Sequence, residues 1–175
     1  MDADRGSGPE IRQRIVVGVD GSDGGREALS WALGEARLRG AQLDVVTAWE
    51  YPFEWSEGFN PRWSHDENFF RVTALERAQA DLDELLDGKP QPSWVRVFAA
   101  EGAPAEVLVG RAEGADLLVV GSRGRDGVAG LLLGSVSTTC VHHAAVPVTV
   151  VRAPAGRHGA AHVHDFSEAA EAVGD

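Results

Sequence analysis

Residues Leu117–Ser137 read LLVVGSRGRDGVAGLLLGSVS, and the fold turns on what this stretch is. The apolar run Leu117–Val120 has the length and β-branching of a buried strand. It stops at Gly121-Ser122-Arg123-Gly124, and a spacer of nine residues leads to Gly134-Ser135 and a helix expected from Val136. Glycines at a strand end let backbone N–H groups approach an anion without Cβ interference. The first turn of a helix adds orphan donors and the positive end of its dipole. An anion site is therefore one reading. The other is that Gly121 and Gly124 turn the chain and Ser135 caps a helix. Both stand at this point.

Working outward, Ile15–Val19 is another apolar strand, ended by Asp20-Gly21-Ser22-Asp23. Ser22 or Asp23 suits the N-cap of a helix over Gly24–Arg39, where Ala28, Leu29, Ala32, Leu33 and Ala36 form one stripe and Gly40 follows as a C-terminal stop. Leu43–Trp49 is a second strand. Glu50–His65, rich in aromatics and broken by Pro52 and Pro61, is long for a βα connection. It reads as a loop packed under its own side chains, with a lid over the glycine stretch as the functional alternative. Asp66–Asp87 is the longest helical segment, with Val72, Leu75, Ala78, Leu82, Leu85 and Leu86 along one side and Glu76, Arg77, Asp81 and Glu84 toward water. Val95, Val97 and Ala99 alternate with Trp94, Arg96 and Phe98, a third strand expected near a sheet edge. Pro104 opens a short helix, Val136–Ala144 is another, and Val148–Val151 is the last strand.

Strands thus alternate with helices throughout, which indicates an α/β fold. The expectation is a Rossmann-like doubly wound, five-stranded, mainly parallel sheet of order 3-2-1-4-5 with helices on both faces. Ligands in such sheets bind beyond the carboxyl ends of the strands, where the winding reverses. Asp20 after strand one and Gly121 after strand four then face one crevice. Residues 1–11 read as a flexible leader, 12–153 as the domain and 154–175 as a disordered tail.

Composition narrows the function classes. A formal charge of −11 over 175 residues argues against nonspecific nucleic-acid binding and against docking on anionic lipid. Cys140 is the only cysteine, which excludes an internal disulfide. With no segment reading as a signal peptide and no apolar run near the ~20 residues that span a bilayer, a cytoplasmic location without membrane contact is expected. Lys89 is the only lysine and sits after a helix, so there is no P-loop. Gly18-x-x-Gly21-x-x-Gly24 is not the dinucleotide fingerprint either.

What remains is Gly121-x-x-Gly124, nine residues, then Gly134-Ser135. With IVVGVDGS, LDVVTAW, EGAPAEVL and VPVTVVR, this pattern resembles the universal stress protein family over roughly Arg14–Arg152. Gly-x2-Gly-x9-Gly-[Ser/Thr] is the mark of that family's ATP-binding branch. The resemblance implies a nucleotide site in which Gly121, Arg123 and Gly124 cradle phosphates and ribose over Val120. Gly134, Ser135, Val136 and Ser137 would hold the β- and γ-phosphates through N–H and hydroxyl groups. Gly18, Asp20 and Ala48 would line the adenosine pocket, with Asp20 suited to a ribose hydroxyl or a metal such as Mg on the phosphates. Helix capping is the bland role for Asp20. Arg123 and Arg125 would supply positive charge.

The same resemblance implies a homodimer through Val148, Thr149, Val150 and Val151, a strand exposed at the sheet edge. It implies a stress-response regulatory protein with ATP as ligand and an unknown protein partner. The alternatives are a slow ATPase or autokinase, a dimeric interaction module with a vestigial pocket, and a site preferring AMP or cyclic AMP. No catalytic base is marked by spacing, and Asp126 would repel a triphosphate unless a metal intervened. No metal site is expected from the protein's own residues. His142-His143 point about 100° apart on a helix and suit its C-terminal dipole. His158, His162 and His164 read as part of a solvated tail, and Cys140 as a small core residue.

Overall fold

The computed structural model describes residues 13–50, 67–124 and 132–153. The expectations for the leader, the aromatic loop, Arg125, Asp126 and the tail with its histidines lie outside them. Among the described residues nine elements alternate: β1 (Arg14–Gly18), α1 (Asp23–Arg39), β2 (Gln42–Trp49), α2 (Glu67–Leu86), β3 (Val95–Glu101), α3 (Pro104–Ala112), β4 (Leu117–Gly121), α4 (Ser135–His143) and β5 (Val148–Val151). The sheet has the expected order, β3-β2-β1-β4-β5, and every pairing is parallel.

Alternation along the strands explains the two layers. Ile15, Val17, Leu43, Val45, Leu117 and Val119 face one side, where Ala28, Leu29, Ala32 and Ala36 of α1 and Leu82 of α2 cover them. Val16, Val46, Leu118 and Val120 face the other, against Leu108 and Ala112 of α3 and Cys140 of α4. A strand buried on both faces must be apolar at successive positions, and β1 and β4 are. Cys140 is fully buried, and burial pushes its thiol pKa up, as suits a core residue rather than a nucleophile.

The ends of α1 are well marked. Ser22 is the N-cap, its side chain accepting from the Gly25 N–H. Gly40 closes the helix in the left-handed region, φ 63°, its N–H on Ala36 and Arg37 carbonyls. Helix α4 begins one residue earlier than the pattern indicates: Gly134 is its N-cap and Ser135 is already helical, so Ser135 is not the cap.

Two buried carboxylates depart from the apolar pattern. Asp81 of α2, expected to face water, is only 6% exposed. It meets Arg26 of α1, 3.4 Å away, and its Oδ2 has no hydrogen-bond partner. Asp44 of β2 lies between Arg96 of β3 (2.8 Å) and Arg14 of β1 (3.3 Å). Arg14 also donates to the Arg111 and Glu113 carbonyls at the end of α3. Desolvation raises the pKa of Asp81 above its ordinary 3.8, and the Arg26 charge offsets only part of this.

Because Asp81 holds its proton more tightly in the folded than in the unfolded chain, the resulting contribution to stability is present at low pH and lost as pH rises from about 4 through the folded pKa. Asp81→Asn should therefore gain stability relative to the parent as pH is raised over that window. Urea unfolding at intervals from about pH 4 to pH 7 measures it. An Asn variant that loses ground with rising pH would contradict the assignment.

Candidate functional site

The turns after β1 and β4 meet at the carboxyl edge of the sheet because their backbones touch. A Cβ on Gly121 would lie 2.6 Å from the carbonyl oxygen of Gly24, and one on Gly24 would lie 2.2 Å from that of Arg123. Neither Gly121 nor Gly124 has positive φ, so turning the chain is not what glycine supplies there. Close approach is. Gly124 similarly admits Asp20, whose Oδ2 would be 2.6 Å from a Cβ at that position.

Asp20 is fixed from the other side. Its Oδ1 accepts from the Ser22 N–H at 3.0 Å and the Ser22 hydroxyl at 2.5 Å. The helix cap is thus Ser22, and Asp20 orients it while leaning across the crevice toward Gly124. The carbonyl of Ser122 ties the β4 turn to α4, accepting from the Gly134 N–H at 2.7 Å with the Ser137 hydroxyl 3.1 Å away. The Ser122 N–H is held in turn by the Val151 carbonyl of β5. Ser137 is buried, its hydroxyl also 3.0 Å from the Gly134 carbonyl, whereas Ser135 is exposed. Helix α4 has no side-chain cap. Its first N–H groups, from Ser135, Val136 and Ser137, have no acceptor within the helix.

These elements enclose a cavity of about 340 Å³. Gly18, Asp20, Ala48, Val120, Gly121, Arg123, Gly124, Gly134, Ser135, Val136 and Ser137, the residues singled out in the sequence, all line it. So do Val19, Gly25, Val46, Pro104 and Leu108, which the motif does not include. Pro104 and Leu108 were detectable: α3 begins just after β3, at the same sheet edge, and residues four apart share a helix face. Asp20 is the one carboxylate and Arg123 the one cation among the described lining residues. His142 and His143 lie in the last turn of α4, away from this lining, and His142 Nδ1 donates to the Thr138 carbonyl at 2.8 Å. Among the described residues no group of three or more His, Cys, Asp or Glu is placed to hold a metal.

The sequence model of the universal stress protein family matches residues 12–152. The chain belongs to the universal stress protein family. A universal stress protein of Thermus aquaticus is 38% identical over 143 residues, which are 79% of this chain and 97% of that protein. A family member from Mycobacterium tuberculosis is 37% identical over 138 residues, 79% of this chain but 44% of its own length. The chain thus spans about half the length of the mycobacterial relatives it matches. A crystal structure described as a universal stress protein in complex with cAMP superposes with a TM-score of 0.51 at 30% identity, covering 79% of this chain and 95% of the other. No described helix is long and apolar enough to cross a membrane.

Since the atoms facing Gly121 are backbone, they cannot swing aside. Gly121→Ala is expected to cost about 1–3 kcal/mol of stability, the usual penalty for overpacking. Denaturant unfolding measures it, and a variant as stable as the parent would show that the two turns are not packed backbone to backbone.

Proposed function

We propose that this member of the family is an adenine-nucleotide-binding regulatory protein whose crevice takes ATP, with Mg carried on the phosphates, and which acts as a homodimer. One observation carries the reading. A glycine-lined crevice ends on the N-terminus of α4, which has no side-chain cap, where three backbone N–H groups have no acceptor within the helix and the helix dipole is positive. In a chain of formal charge −11, such a spot favours an anion through local geometry rather than overall charge. The opposite end of the cavity is apolar, with Val46, Ala48 and Leu108, as a nucleobase requires. The relative bound to cAMP supports an adenine nucleotide as the ligand class.

Position by position, the N–H groups of Ser135, Val136 and Ser137 receive the terminal phosphates beside Gly134, while Gly121 and Gly124 let the chain approach and Arg123 supplies a cation. Asp20 faces the ribose or the metal. A single carboxylate among the described lining residues suits a metal that arrives on the nucleotide, since a site built by protein alone needs more oxygen ligands.

The dimer reading places β5 at the interface. The Pro147 carbonyl accepts from Leu118 of β4, and that of Val151 accepts from Ser122 beyond it. By alternation the backbone groups of Val148 and Val150 point away from the sheet, where they are available to a second copy.

The test of the site uses Gly134→Asp. The three atoms nearest a Cβ at Gly134 are 3.5 Å away or more, so a Cβ is accommodated there in ordinary contact. A carboxylate at the N-cap takes the orphan donors for itself, and should raise the stability of the ligand-free protein by a few tenths of a kcal/mol. In the parent, ATP, AMP or cAMP at 100 times Kd should add about 2.7 kcal/mol of stability, and Gly134→Asp should abolish that increment. Absence of binding by all three nucleotides, measured by calorimetry on the folded parent, would overturn the proposal. For the dimer, Val150→Pro removes an outward N–H. Analytical ultracentrifugation should find the parent at twice the chain mass and the variant at the chain mass. A variant that sediments with the parent would count against pairing through β5.

A further inference from the structure

At the apolar end of the crevice, Gly18 of β1 and Leu108 of α3 compete for one space. A Cβ on Gly18 would lie 2.6 Å from Leu108 Cδ1, 3.0 Å from Cδ2 and 3.4 Å from Cγ, so the three atoms nearest that point all belong to Leu108. Leu108 is 5% exposed and lines the cavity with Gly18, Val46 and Ala48. Behind it stand Val16, Ala112 and Leu118, all nearly or fully buried, so this wall is backed by core and does not yield freely.

The sheet order sets the direction of the cavity. Strand β2 lies on one side of β1 and β4 on the other. The lining therefore runs from Val46 and Ala48, over Gly18, to Gly121 and the start of α4. Orphan N–H groups and Arg123 mark the β4 end, while the β2 end offers aliphatic side chains. A nucleotide with its phosphates on α4 places its base toward Leu108.

We infer that Leu108, seated in the notch that Gly18 leaves open, is the specificity-determining residue that limits the size of the base. The inference rests on the nucleotide reading above and adds a residue to it. Its chemical content is steric. An added group on the purine must displace Leu108 side-chain carbons that are wedged between β1 and the core. In apolar pockets a single methylene changes selectivity about 10-fold or more.

The experiment is calorimetry on the full chain with AMP, N6-benzyl-AMP, 2-chloro-AMP and 8-bromo-AMP. The parent should bind AMP and disfavour at least one analogue about tenfold or more. Leu108→Ala should reduce that discrimination about tenfold while still binding AMP. Gly18→Ala, which drives the Leu108 methyls out of the notch, should weaken AMP, and adding Leu108→Ala should restore it. That recovery is the signature of two residues sharing one space. Leu108 also belongs to the core, so each variant's thermal midpoint is measured first. Should Leu108→Ala not fold, Leu108→Val gives the same comparison with a smaller change. The inference is overturned if a folded Leu108 variant keeps the parent's discrimination, if the parent accepts every analogue as well as AMP, or if Gly18→Ala is not rescued. A parent that binds AMP without these effects defeats the inference alone. A parent that binds neither AMP, ATP nor cAMP defeats the nucleotide reading with it.

Discussion

Backbone-to-backbone contact between the first turn of α1 and the end of β4 is the constraint from which the crevice follows. Gly24 and Gly121 face each other with no room for a Cβ on either, and the carbonyl of Arg123 closes over Gly24. This contact draws two turns, about a hundred residues apart in the chain, to one point at the carboxyl edge of the sheet. Asp20 then reaches Gly124, Ser22 holds Asp20, and the Ser122 carbonyl draws in the start of α4. The helix N-terminus is left uncapped and aimed at the cavity those contacts enclose. Glycine thus acts here through the volume it does not occupy.

The same edge of the sheet is braced on its outer side by charge. Arg26 bonds the Gly21 carbonyl at 3.2 Å and pairs with both Asp23 and the buried Asp81. It therefore couples the β1 turn to α2, an element with no residue among the described lining. At the opposite end of the strands, Arg14 joins β1, β2 and the end of α3 through Asp44 and two carbonyls. Asp44 is the buried member of this group, so removing either arginine takes away part of the compensation of a charge inside a strand core otherwise built from valine and leucine.

The strands and the stripe of α1 were legible in the sequence because both are periodic and local. The runs Leu117–Val120 and Val148–Val151 appear as strands at or within one residue of their expected bounds, and Ser22 and Gly40 close α1 as capping chemistry requires. The cavity lining was legible for a different reason: its glycines and serines stand at spacings that a family shares. Asp81 was misjudged because a helical stripe counts apolar residues, and a buried carboxylate depends on an arginine 55 positions away. Leu108 was overlooked because the motif does not include it, although its spacing from Pro104 puts both on one face of α3 at the same sheet edge. The Arg26–Asp81 pairing is set by tertiary geometry and leaves no local trace.

The proposed nucleotide site is the crevice between β1 and β4, with the phosphates on α4. Titrating ATP into isotopically labelled protein and following backbone amide resonances tests this most directly. Saturable shifts are expected to concentrate at Gly121, Gly124 and Gly134–Ser137, with smaller ones at Gly18 and Ala48 and none on the outer surface of α2. Shifts centred on another face of the molecule, or no change at those amides at saturating ATP, would contradict it.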